Sequence, residues 1–113
     1  MSHLLHSTTS TFFEDVVQSP VPVLVDFYAD WCGPCQMLSP TLERLANELA
    51  GKARIVKVNI DHSPDLAREY RVQAVPTLVA FLDGEAAGRA EGAVAEPVLR
   101  QTLNRLVAAR NVA

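Results

Sequence analysis

"VLVDFYADWCGPCQMLSP", Val23 to Pro40, changes its period halfway along. Val23–Ala29 is β-branched and aromatic almost without a break, as expected of a strand buried on both faces. Beyond Cys35 the apolar residues fall at Leu38, Leu42, Leu45, Ala46 and Leu49, which share one face of a helix that Gly51 stops. The junction holds both cysteines of the chain, Cys32 and Cys35. Gly33 is expected to let the chain turn there, and Pro34 suits a first helical turn. Pro40 lies inside the helix and predicts a kink.

Working outward from this stretch, "HLLH" at residues 3–6 reads as an edge strand. Thr11–Ser19 reads as a short helix: Thr11 and Glu14 have capping-box spacing, and Phe12 and Val16 lie one turn apart. Downstream, "RIVKVNI" from Arg54 is a second buried strand, and Ser63-Pro64 opens a short helix over Pro64–Tyr70 in N-cap and first-turn positions. "PTLVAFL" from Pro76 and a weaker "EAAGRA" from Glu85 are strands joined by Asp83-Gly84, a strong hairpin signal. The last helix begins near Pro97 and presents Leu99, Leu103, Leu106 and Val107 for burial. The order β-α-β-α-β-α-β-β-α predicts an α/β protein. Its strand–helix–strand units call for parallel pairing, the hairpin adds an antiparallel edge, and helices cover both faces of a mixed central sheet.

The totals narrow the function. At 113 residues the chain is sized for one domain over residues 1–113, with a core of its own. A net charge of -3 gives no electrostatic case for a nucleic-acid partner, and no run of like charge suggests a membrane patch. The N-terminus lacks the cationic and long apolar regions of a signal peptide, and no apolar stretch approaches the length of a membrane span. The expectation is a cytoplasmic protein. Thiols there are kept reduced, so a cysteine pair points to catalysis or metal rather than to a permanent staple.

Cys32 at the strand–helix junction meets unpaired N–H groups and the positive end of the helix dipole, which favour a thiolate, the form that attacks disulfides. Cys35 lies on the same helix face one turn in, close enough to bridge Cys32 and shielded by the helix. One exposed nucleophile and one sheltered resolving thiol suffice for dithiol–disulfide exchange. The alternatives are weaker. A structural disulfide over so short a loop contributes about 2 kcal/mol. A structural zinc site wants four ligands, and His3, His6 and His62 offer no obvious second pair. Haem attachment needs a histidine directly after Cys35, where Gln36 stands.

Four further positions have two readings each from their residue types. Asp26 could reach water at an early strand end, but Phe27 and Tyr28 continue the apolar run and argue for burial, which raises a carboxyl's pKa toward neutrality. Lys57, inside "IVKV", could snorkel from its strand or meet a buried partner. Trp31 could be a core aromatic or line a docking surface beside the nucleophile. Pro76 suits a strand start, and by itself favours a trans bond.

"VLVDFYADWCGPCQMLSP", with "VPTLVAF" and the later "DG", resembles the thioredoxin family from about Phe12 to the last helix. The resemblance implies a thioredoxin fold, with a central mixed five-stranded sheet flanked by four helices, and a protein-disulfide oxidoreductase working as a reductant. It implies that Asp26 lies beneath Cys35 and assists its deprotonation, and that Lys57 pairs with Asp26. It also implies a cis Pro76 facing the cysteines, with Val75 offering backbone groups to an extended client segment by strand addition. Gly92 and Ala93 complete the groove, and Trp31, Gly33 and Pro34 belong to the docking surface. Gly-Pro between the cysteines goes with reductants in the wider family; histidine there goes with oxidants and isomerases. No bound cofactor or metal is implied. Electrons come from NADPH through a flavin-dependent thioredoxin reductase, and the clients are proteins such as peroxiredoxins, methionine sulfoxide reductases and ribonucleotide reductase, met by a monomer.

Three positions depart from the family pattern: Tyr28 for a frequent second tryptophan, Gln36 for a common lysine, and Ala74 for a frequent glycine. These bear on thiol pKa and partner preference. The rival readings are a binding or assembly subunit with idle cysteines, a zinc-bridged dimer, and an oxidant or isomerase of the same fold.

Overall fold

In the computed structural model, which describes residues 3–110, β2 (Val23–Tyr28) is the middle strand of the sheet. Its first five residues are buried, which is what an unbroken apolar strand needs. β3 (Arg54–Asn59) pairs parallel with it on one side, and β1 (Leu5–Ser7) pairs parallel with β3 at the edge. On the other side β4 (Thr77–Leu82) pairs antiparallel with β2, and β5 (Glu85–Glu91) antiparallel with β4. The sheet therefore runs β1-β3-β2-β4-β5. The sequence reading is corrected at one point: β4 is itself antiparallel to β2, so the antiparallel part begins a strand earlier than the Asp-Gly hairpin. The ends of the expected domain, residues 1–2 and 111–113, lie outside the described residues.

Alternation along the strands sorts the core into two layers. Leu24, Ile55, Leu78 and Ala80 face α1 (Gly33–Glu48) and α3 (Glu96–Arg110), meeting Leu38, Leu42, Leu45, Leu99 and Leu103. Val23, Val25, Phe27, Val56, Val79 and Phe81 face a short π turn (Phe13–Val17) and α2 (Pro64–Glu69), packing on Phe12, Val16 and Leu66. Counting the π turn, four helices flank the sheet among the described residues, as the resemblance implies. The second layer closes on aromatic edges: the Tyr70 ring sits 5.4 Å from Phe81 and 5.5 Å from Phe12.

Local expectations meet mixed outcomes, each with a physical reason. Asp83 (φ 51°) and Gly84 (φ 82°) are both left-handed, as a tight two-residue hairpin turn requires. Gly84 is held there doubly, since a Cβ on it would lie 2.7 Å from the Val17 carbonyl oxygen. α1 runs unbroken across Pro40. The capping box at Thr11 does not form: its hydroxyl oxygen accepts from the Thr8 N–H at 3.0 Å. The helical segment there is instead a π turn in which the Gln18 N–H reaches the Phe13 carbonyl. Ser63 does occupy the N-cap position of α2, but its Oγ accepts from the Thr9 N–H rather than capping the helix. Leu106 and Val107 end half-buried, packed on the rim of the α1–α3 layer. Gly33 has no left-handed φ, so its freedom is not what turns the chain. The turn lies just before it, where the Cys32 N–H bonds the Ala29 carbonyl and Cys32 stays extended (φ -92°, ψ 110°).

Candidate active site

The strand end of β2 and the start of α1 bring Cys32 and Cys35 together. Their Cα atoms are 5.3 Å apart and their sulfurs are joined in a disulfide. Cys32 is the N-cap of α1, and its Sγ accepts from the Cys35 N–H at 3.2 Å. One helix-end N–H thus points at this sulfur, the setting that stabilises a thiolate. Pro34 follows in the first turn, where its missing N–H leaves no helix bond unmade.

Both cysteines are nearly inaccessible in this oxidised form, Cys32 at 5 % and Cys35 at 2 %. The exposed nucleophile expected from the sequence is therefore corrected: the two sulfurs differ in surroundings more than in exposure. Cys32 Sγ lies 3.7 Å from the Val75 carbonyl oxygen, and Val75 helps line a small groove with Trp31, Ile60, Val72 and Ala74. Cys35 instead backs onto a cleft of about 320 Å³ whose walls include Tyr28, Ser39 and Lys57.

The groove has a defined frame. The Val75–Pro76 peptide is cis. Its loop is tied by the Thr77 hydroxyl, which donates to the Ala74 carbonyl at 2.6 Å. The Gly92 N–H donates to the Pro76 carbonyl at 2.8 Å and brings Gly92 and Ala93 alongside. Gly92 is left-handed (φ 83°), and a Cβ there would meet nothing, so the glycine serves backbone geometry and leaves the surface open. Trp31 is not a core aromatic: it is 70 % exposed, with its indole N–H donating to Asp61 Oδ2 at 3.0 Å. Gly33 and Pro34 are exposed beside it.

Asp26 lies on the α1 side of the sheet, two residues beyond Leu24 and on the same face. It is fully buried, and neither carboxyl oxygen has a hydrogen-bond partner among the described residues. Burial pushes its pKa up from 3.8 to about 6, against a smaller lowering by the Lys57 charge. The early strand end is thereby excluded. Lys57 is the register partner of Asp26 on β3, yet its ammonium is not paired with it. Nζ donates to Ser39 Oγ at 2.8 Å and sits 4.2 Å from the centre of the Tyr28 ring.

Two participants escaped the sequence reading. Ser39 stands four residues after Cys35, on the same side of α1, and that spacing was the available signal. Asp61 carried none: a polar residue after a strand reads as loop. Gln36, read only as a lost lysine, donates to the Asp30 carbonyl at 2.9 Å and ties the turn before Trp31 to the helix. Among the described residues no group of three or more His, Cys, Asp or Glu side chains could hold a metal ion, and no helix is long and apolar enough to cross a membrane.

Comparison with known proteins agrees with this geometry. A family model described as Thioredoxin matches residues 3–105. Thioredoxin 1 of Nostoc sp. is 44 % identical over 105 residues, covering 93 % of this chain and 98 % of that protein. Thioredoxin 1 of Synechococcus elongatus is 41 % identical over 98 residues, with 87 % and 92 % covered. The thioredoxin of Porphyra purpurea is 41 % identical over 100 residues, with 88 % and 94 % covered.

Proposed function

The chain belongs to the thioredoxin family and is a protein-disulfide oxidoreductase; within that activity, we propose that Cys32 attacks the client disulfide and Cys35 resolves the product. Cys32 thiolate bonds to one client sulfur as the client S–S bond breaks and the other client sulfur leaves as a thiolate. The Cys35 thiol then gives its proton to the Asp26 carboxylate. The new Cys35 thiolate bonds to Cys32 Sγ, the mixed disulfide breaks, and the second client sulfur departs as a thiolate. The client gains two electrons, and the cysteine pair, oxidised, becomes the disulfide.

The observation that carries the assignment is the Cys35 N–H aimed at Cys32 Sγ from the helix start. This contact stabilises negative charge on Cys32 and not on its neighbour. Asp26 supports it: a buried carboxyl titrating at about 6 can hold or release a proton near neutrality. Lys57 acts on Asp26 through its charge. Val75, beside the cis Pro76, accepts an extended client segment by backbone pairing, with Trp31, Gly33, Pro34, Gly92 and Ala93 as the surrounding docking surface.

The reduced pair is regenerated from NADPH by a flavin-dependent thioredoxin reductase. Clients include peroxiredoxins, methionine sulfoxide reductases and ribonucleotide reductase. The protein acts as a cytoplasmic monomer, as one domain over residues 1–113.

Trapping tests the assignment. Cys35→Ser should accumulate client adducts linked through Cys32, released by dithiothreitol, whereas Cys32→Ser should hold none. Equal capture by both variants, or by neither, would remove the assignment and favour a subunit with idle cysteines.

A further inference from the structure

Among the described residues Lys57 is the cation whose charge reaches Asp26, and its direction decides what kind of base the carboxyl can be. A partner ammonium in contact would pin Asp26 in its ionised form; a carboxyl left without partners is held up by burial. In the structure the ammonium is drawn the other way. It is held by the Ser39 hydroxyl at 2.8 Å and by the Tyr28 ring at 4.2 Å, while both Asp26 oxygens stay unpartnered. Ser39 and Tyr28 wall the same cleft as Cys35.

We propose that Ser39 is a positioning residue for the exchange reaction: its hydroxyl holds the Lys57 ammonium on the α1 side of the cleft and keeps it from pairing with Asp26. The consequence rests on the reading of Asp26 as the acceptor of the Cys35 proton. A carboxylate paired with Lys57 would be a weaker base; an unpaired one takes the proton near neutral pH. Among the described residues, Lys57 is the charged group whose field acts on Asp26. β3 presents Lys57 and β4 presents Leu78, the two register partners of Asp26, and α1 packs Leu38 and Leu42 into this layer. α3 contributes Leu99 and Leu103 to this layer, and the strand's own Tyr28 is neutral near pH 7, its pKa raised chiefly by burial.

The test is the titration of the Asp26 carboxyl carbon by NMR in the oxidised full chain, in four proteins: parent, Ser39→Ala, Lys57→Met, and the double variant. Alanine is the better helix former at this position, so α1 should stay intact. Ser39→Ala should lower the Asp26 midpoint by about one pH unit, the effect of an opposite charge coming close. Lys57→Met should raise it. Adding Ser39→Ala to Lys57→Met should then change nothing further, because the hydroxyl acts only through the ammonium. An unmoved midpoint in Ser39→Ala, or the same fall in both backgrounds, overturns the proposal. This equilibrium readout needs no client and no turnover. Failure of the trapping experiment with an intact Ser39 effect would therefore fault the exchange assignment and not the positioning of Lys57.

Discussion

Replacing Asp26 by asparagine removes a charge that the fold buries at a cost, and the cost can be worked out. Below pH 3.8 the carboxyl is protonated both folded and unfolded, and contributes no pH dependence. Between 3.8 and about 6 the folded protein keeps the proton while the unfolded chain has lost it. The native state then binds more protons, so the parent loses stability as pH rises through this window. Above about 6 both states are ionised and the loss is complete. At about 1.4 kcal/mol per pH unit, the gap from 3.8 to about 6 corresponds to roughly 3 kcal/mol. The side-chain amide of the variant does not titrate, so the variant escapes this loss. Denaturant unfolding of the oxidised parent and Asp26→Asn from pH 3.5 to pH 8 should show the stability difference moving by about 3 kcal/mol in favour of the variant. Glu48, held low by Arg100, Glu96, held low by Arg44 and then Arg100, and Asp65, held low by the Thr9 hydroxyl, affect both proteins alike and cancel. A difference that stays flat across that range would refute the burial argument, and with it the proton-accepting role of Asp26.

Two further outcomes follow from the geometry. Gly84→Ala places a Cβ 2.7 Å from the Val17 carbonyl at φ 82°; thermal unfolding should show a loss of about 1–2 kcal/mol or more, with Cys32 alkylation in the reduced protein unchanged. Trp31→Ala removes a side chain that is 70 % exposed; the melting temperature should stay within a few degrees of the parent while kcat/KM toward a protein disulfide falls severalfold, through KM.

How much of this was legible in advance depends on the residue. The strand–helix period change around Cys32 and Cys35, the Asp83-Gly84 turn and the core-facing leucines of α1 were readable because each rests on local spacing. So was the burial of Asp26, through the apolar residues on either side of it. The family resemblance supplied the cis bond at Val75–Pro76, where proline alone argued for trans. The pairing of β4 with β2 was not readable, because strand direction across a long connection is settled by which faces must be covered. Ser39 offered only its spacing from Cys35, and a serine on a helix is ordinary until the ammonium opposite it is placed.

The chain by itself therefore determined its elements, the helix that begins at the cysteines, and the carboxyl buried in the central strand. Those follow from side-chain period and backbone preference, which act over a few residues. Only the tertiary structure decided that the Lys57 ammonium turns to Ser39 and Tyr28 and leaves the neighbouring carboxyl alone. That choice depends on distances between a strand and a helix far apart in sequence, and electrostatics in a buried site is set by such distances and by the loss of water around them.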